Sequence, residues 1–130
     1  MKAIIDTGVL VEILEGSDIG EKITRLIIQN QIEPLITDLT LTELQYVTCR
    51  KYGNKRSSEV IQKLLKSGFF GIVDSMRFAR KAAEIKCAHS LSIVDAFNIG
   101  AAQELKINAI FKKEKEIDKS ISNVVFADEL

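Results

Sequence analysis

Five acidic residues stand where short apolar runs give way to helix-forming segments. Asp6 closes the run Lys2-Ala-Ile-Ile-Asp6. Glu43 ends Thr40-Leu-Thr-Glu43, Asp95 ends Ser92-Ile-Val-Asp95, and Glu114 and Glu116 follow the run Asn108–Phe111. Two carboxylates about 4 Å apart repel by roughly 4 kcal/mol at an effective dielectric near 20. A fold that gathers several of them must neutralise them with protons, a basic partner or a divalent cation. Oxygen-only ligands favour hard cations, Mg²⁺ or Mn²⁺. Such a cation activates water for attack on phosphorus and stabilises charge on the leaving oxygen, so the chemistry is phosphodiester hydrolysis without a covalent intermediate.

The elements that must position these acids follow from hydrophobic spacing. Lys2 to Asp6 reads as a buried strand. Val9, Leu10, Ile13 and Leu14 recur at helical spacing and stop at Gly16. Ser17 caps a second helix, faced by Ile19, Ile23, Leu26 and Ile27 and ending near Asn30. Pro34 to Thr37 is a second strand. Thr40 and Glu43 have the spacing of a capping box and open a helix to about Tyr52, with Gly53 as its stop. Ser57 or Ser58 caps the next helix, which ends before Gly68.

Phe69 to Val73 reads as a third strand, and Asp74 or Ser75 starts a helix through about Ala88. Ser92 to Asp95 opens a helix through Leu105. Asn108–Phe111 and Asn123–Phe126 are the fourth and fifth strands. Apolar strands alternating with helices predict a parallel sheet covered on both faces, a three-layer α/β/α domain. Ligands of open α/β sheets bind at the carboxyl ends of the strands. On that topology the acids from four chain segments converge at one edge.

Composition narrows the classes. A chain of 130 residues suits one domain, here 1–130, and an apolar fraction of 46% supports a real core. Lys+Arg 18 balance Asp+Glu 18, so bulk positive charge does not hold this protein to nucleic acid. Cys49 and Cys87 lack metal-site or disulfide-scaffold spacing and read as reduced thiols packed like small hydrophobes. No apolar run approaches the roughly 20 residues that span a bilayer, and no secretory leader precedes Lys2; the expectation is a cytoplasmic protein with no membrane partner.

Asp6-Thr-Gly-Val-Leu-Val-Glu-Ile-Leu-Glu-Gly16 resembles the opening of PIN-domain proteins, where a strand-end Asp precedes Thr, a small residue and an apolar helix. Thr42-Glu43-Leu44 resembles the family's second acid, early in a helix. Leu91-Ser-Ile-Val-Asp95-Ala-Phe-Asn-Ile-Gly-Ala-Ala102 resembles its third, and Ala109-Ile-Phe-Lys-Lys-Glu-Lys-Glu-Ile117 its last motif. The ordered set spans nearly the whole chain. The resemblance implies a PIN-like α/β/α fold with a central, mostly parallel five-stranded sheet. It implies a metal-dependent ribonuclease, many relatives being VapC-type toxins that form homodimers and are restrained by a small antitoxin protein. It makes Asp6, Glu43, Asp95 and Glu114 the metal ligands and catalytic residues, with Mg²⁺ or Mn²⁺ as cofactor and RNA as substrate. Three positions depart from the pattern. Lys112 stands where Thr or Ser is common, Glu114 where Asp is usual, and Gly8 where Ser or Asn is frequent.

Structural roles compete at each position. Asp6 at a strand-to-helix turn suits an N-cap. Glu43 and Asp95 suit capping pairs with Thr40 and Ser92. Lys112 either pairs with a carboxylate or contacts a substrate phosphate. Glu116, Asp118 and the lone His89 read as solvated or structural. Arg50, Lys51, Lys55 and Arg56 read first as a solvated surface, and the Phe69-Phe70 pair as core or interface. The alternative function is a catalytically inactive PIN-like module for RNA binding or protein assembly, motivated by Lys112 and Gly8. A phosphotransfer domain is disfavoured: Gly8 stands where an aspartyl-phosphate phosphatase needs a second Asp, and no phosphate or dinucleotide loop is present.

Overall fold

The computed structural model describes residues 1–113 and 117–130. Five strands, β1 (Lys2–Ile5), β2 (Glu33–Thr37), β3 (Gly71–Val73), β4 (Asn108–Phe111) and β5 (Val124–Phe126), form one sheet in the order β3-β2-β1-β4-β5. Every pairing is parallel. The helices are α1 (Thr7–Glu15), α2 (Asp18–Ile28), α3 (Asp38–Tyr52), α4 (Asn54–Lys66), α5 (Ala79–Ala88) and α6 (Ile93–Leu105). The architecture is the three-layer α/β fold that the alternation of elements predicts.

The strands are apolar on both sides because both sides are covered. Ile4, Ala109 and Phe111 point into one core with Ala82 and Ile85 of α5 and Ala96, Ile99 and Ala102 of α6. Ala3, Ile5 and Ile110 point into the other, against Val9 and Leu10 of α1, Ile23 and Ile27 of α2, Leu44 of α3, and Ile61 and Leu64 of α4. Ile4, Ile5, Ile36 and Ile110 are wholly buried, each contributing roughly 1.5–3 kcal/mol of burial. No helix among the described residues is long and apolar enough to cross a membrane.

Two close approaches hold the helical layers. A Cβ at Gly20 would sit 2.0 Å from the Glu12 carbonyl oxygen, so only glycine lets α2 lie against α1. A Cβ at Gly100 would meet the Ala82 backbone nitrogen at 3.0 Å, so α6 presses tightly on α5. Ser17 caps α2 as expected, its hydroxyl accepting the Gly20 N–H at 3.0 Å.

The structure corrects several boundaries. The cap of α3 is Thr37, whose hydroxyl accepts the Thr40 N–H, so the helix begins at Asp38 and Thr40–Glu43 is not a capping box. Thr37 wins because it ends β2 in extended backbone, where a cap is formed at once. Helix α4 begins at Asn54 behind Gly53, without a side-chain cap. Ser57 is instead buried inside it, sharing a 2.7 Å bond with Thr48 and donating to the Gln45 carbonyl. Strand β3 is shorter than predicted, and Phe69 is exposed whereas Phe70 packs on the core. Asp74 caps a 3-10 turn, Ser75–Phe78, before α5 starts. Both cysteines are free, but Cys87 is exposed and not packed.

Candidate functional site

The chain leaves β1 for β2 and β3 on one side, and β4 and β5 lie on the other. The carboxyl ends of β1 and β4 therefore flank the point where strand order reverses, where open α/β sheets take ligands. Asp6 stands there. Its N–H donates to the Ile110 carbonyl at 3.1 Å, extending the β1–β4 ladder by one bond. It then caps α1, with Oδ2 accepting the Gly8 N–H at 3.2 Å. Its side chain is buried, with 4% exposure for the residue.

The other oxygen of Asp6 reaches across the sheet edge. Oδ1 accepts the Asn98 side-chain N–H at 3.0 Å. Asn98 lies on α6 and is wholly buried. Its Oδ1 accepts the Thr40 hydroxyl at 3.1 Å and lies 3.3 Å from the Thr37 hydroxyl. One buried polar chain thus joins the end of β1, the β2–α3 junction and α6. These are the three elements that carry Asp6, Glu43 and Asp95.

Glu43 is half-buried in the second turn of α3, three residues after Thr40 and on the same helical stripe. It lies beyond the first turn, so neither a cap nor the helix dipole accounts for it. Asp95 is half-buried in the first turn of α6, three residues before Asn98. Ser92 caps that helix by accepting the Asp95 N–H at 3.1 Å. Each acid therefore sits one turn from a member of the chain that ends on Asp6. Among the described residues, no group of three or more acidic, histidine or cysteine side chains is placed so that it could hold a metal ion, so Asp6, Glu43 and Asp95 do not by themselves form a three-acid cluster. Glu114 and Glu116 lie outside the described residues.

Lys112, just past β4, pairs with Glu12 of α1 at 2.8 Å. A hydrogen bond from Lys112 and another from Ser17 hold the Glu12 carboxyl below its usual range, against the opposing effect of burial. Asp38 is another acid at the carboxyl edge. Its two oxygens accept the Ser75 N–H at 2.7 Å and the Ser75 hydroxyl at 3.0 Å, tying the ends of β2 and β3. Burial pushes its carboxyl up, but the Ser75 bonds outweigh that and the net shift is downward. The Thr7 hydroxyl, beside Asp6, is buried without a hydrogen-bond partner among the described residues. Of the basic cluster, Arg50, Lys51, Lys55 and Arg56 are exposed, and Lys51 pairs with Glu15. Asp118 accepts the Ser120 N–H in a surface turn, and His89 ends α5.

Asn98, Thr37 and Thr40 were not singled out by sequence spacing as site residues. The available signal was Asn98 itself, the one amide among Ala96, Ile99, Gly100, Ala101 and Ala102 on a buried helix.

An all-parallel α/β sheet with a buried carboxylate at its switch point defines a class of proteins that bind ligands at that edge. The PIN domain model matches residues 3–120, and the chain belongs to the PIN domain family, a family of nucleases. No curated protein sequence matches the chain. Among solved structures, VapBC2 from Rickettsia felis, bound to a DNA fragment from its promoter, superposes with a TM-score of 0.76 at 18% identity, covering 97% of each chain. DNA-bound VapBC from Salmonella typhimurium does so with 0.76 at 15% identity and 98% of each chain. VapC20 of Mycobacterium tuberculosis, a sarcin–ricin loop cleaving toxin, gives 0.68 at 18% identity and 92% of each chain. These likenesses establish a shared fold.

Proposed function

We propose that residues 1–130 form one PIN-type nuclease domain, a metal-dependent endoribonuclease that hydrolyses RNA phosphodiester bonds as the toxin of a toxin–antitoxin pair. The observation that carries the reading is the buried chain from Asp6 through Asn98 to Thr40, with Glu43 and Asp95 one turn away on the same helices. A merely structural cap at Asp6 needs only the Gly8 bond. The second bond, from a wholly buried Asn on another element, orients the carboxylate.

The donors present suit a hard cation. All are oxygens, and the two Asp6 oxygens each accept an N–H bond that orients the carboxylate. Mg²⁺ and Mn²⁺ bind through few carboxylates and keep waters, so a closed protein cage is not required. When bound, the cation supplies an activated water and neutralises charge developing at phosphorus. Asp6, Glu43 and Asp95 hold it, with Glu114 as a fourth acid.

The partner is a small antitoxin, a reading supported by the likeness to the VapBC complexes of Rickettsia and Salmonella and to a toxin–antitoxin complex from Klebsiella pneumoniae. The working state is a cytoplasmic homodimer. The test is cleavage of single-stranded and structured RNA by purified protein with Mg²⁺ or Mn²⁺. Cleavage is expected to vanish with chelator and in Asp6→Asn and Asp95→Asn. Cleavage that survives both, with contaminating nuclease excluded, defeats the proposal.

A second reading, an inactive RNA-binding or assembly module, is favoured by the Lys112–Glu12 pair, which sets a cation at the end of β4 beside β1. It predicts RNA binding without cleavage and a melting temperature indifferent to Mg²⁺ and Mn²⁺.

A further inference from the structure

We infer that Asn98, oriented by Thr37 and Thr40, is a positioning residue that aims the Asp6 carboxylate at its cation. The inference rests on the reading of Asp6 as a metal ligand and assigns roles to three residues outside the acidic set.

A buried amide can face a neighbour with its oxygen or its nitrogen, and the two ends differ only in hydrogen-bond sense. Here the sense is determined by the neighbours. The Thr37 oxygen already accepts the Thr40 N–H at the head of α3. The Thr40 hydroxyl donates to Asn98 Oδ1 at 3.1 Å, and the Thr37 hydroxyl oxygen lies 3.3 Å from both Thr40 Oγ1 and Asn98 Oδ1, either of which can accept its proton. With its oxygen end taken by hydroxyl donors, Asn98 turns its N–H to Asp6 Oδ1. Turned the other way, its carbonyl would face a carboxylate and its NH₂ would face donors. All three residues are wholly buried, so water cannot substitute for a lost partner.

With Gly8 holding Oδ2 and Asn98 holding Oδ1, the Asp6 carboxylate is held at both oxygens. Partners that orient a metal's direct ligands typically change metal affinity by about 10–100-fold when removed. The route also runs through α3 and α6, so the helices bearing Glu43 and Asp95 are held in register with Asp6 by the same bonds.

The test is Mn²⁺ affinity of the full chain, read by the electron-spin signal of unbound Mn²⁺, alongside the melting temperature in chelator. Asn98→Leu should bind Mn²⁺ about 10–100-fold more weakly than wild type. Thr40→Val, which removes a hydroxyl two bonds away from Asp6, should weaken binding in the same direction. Thr40→Ser, which restores it, should return affinity to near the wild-type value. If Asn98→Leu does not fold, the Val and Ser pair decides the matter. Wild-type affinity in Thr40→Val, or equal losses in Thr40→Val and Thr40→Ser, overturns the positioning role. If that happens while Asp6→Asn still abolishes binding, the nuclease reading stands without it. A wild-type protein that holds no Mn²⁺ overturns both.

Discussion

Replacing Asn98 by leucine should destabilise the metal-free protein severely, by an amount that the bonding of the buried chain sets. Leucine has nearly the same shape, so little cavity is created and the cost is mainly hydrogen bonding. Asn98 gives one N–H to Asp6 and takes hydroxyl bonds from Thr40 and Thr37. In the variant, Asp6 Oδ1 loses a bond to a charged acceptor, about 1.5–3 kcal/mol. The two threonine hydroxyls can then satisfy only one another, across their 3.3 Å separation. One buried hydroxyl proton is left without an acceptor, at about 1–3 kcal/mol. The sum is about 2.5–6 kcal/mol, a large share of the roughly 5–15 kcal/mol that holds an ordinary domain together. Urea unfolding in the presence of chelator, followed by circular dichroism, should show the midpoint falling with an unchanged slope. A loss below about 1 kcal/mol would mean that the chain is not a satisfied buried network, and the reasoning from it would fail.

Lys112→Met should alter the acid limb of the stability curve. The Glu12 carboxyl is held below its ordinary 4.5, so it contributes stability above that pH and loses it as pH falls through the lower folded value. The variant should lose less stability than wild type between pH 4.5 and lower pH, by under about 1 kcal/mol because Lys112 is half exposed. Unfolding midpoints at pH 3.5 and 7 check this, and parallel curves for the two proteins would contradict it. Gly20→Ala should separate α1 from α2, since the new methyl meets backbone and not a movable side chain. A loss of about 1–3 kcal/mol is expected in thermal melts, and an unaffected melting temperature would show that the helices do not pack as described.

Much of the fold was legible because burial on two faces leaves few choices. The run Lys2-Ala-Ile-Ile can only be an inner strand, and its place at the centre of the sheet carries Asp6 to the switch point. Gly16 and Ser17 mark the α1–α2 break through backbone chemistry that hardly depends on the rest of the chain. The mis-set boundaries have one origin. Several hydroxyl residues in a row each have capping chemistry, and tertiary contacts decide which of them caps. Thr37 takes the cap of α3 because β2 delivers it extended, releasing the Thr40 hydroxyl for Asn98. Ser57 fails to cap α4 because Thr48 and Gln45 already hold it. Asp6, Glu43 and Asp95 could be nominated as candidates from their places beside apolar runs and from the family resemblance. The amide that joins their helices could not, because its partners lie 58 and 92 residues away in the chain. Lys112 stands out as a departure from the family pattern, but nothing in the spacing names Glu12, far off in the chain, as its partner.

The central claim is that Asp6, Glu43 and Asp95 share one cation. A crystal of the protein soaked in Mn²⁺ and measured at the manganese absorption edge tests it directly. A single anomalous peak within about 2.1–2.3 Å of an Asp6 carboxylate oxygen, with Asp95 and Glu43 reaching it directly or through water, is the predicted result. Density with no such peak, or a peak only at a lattice contact remote from Asp6, would contradict the account.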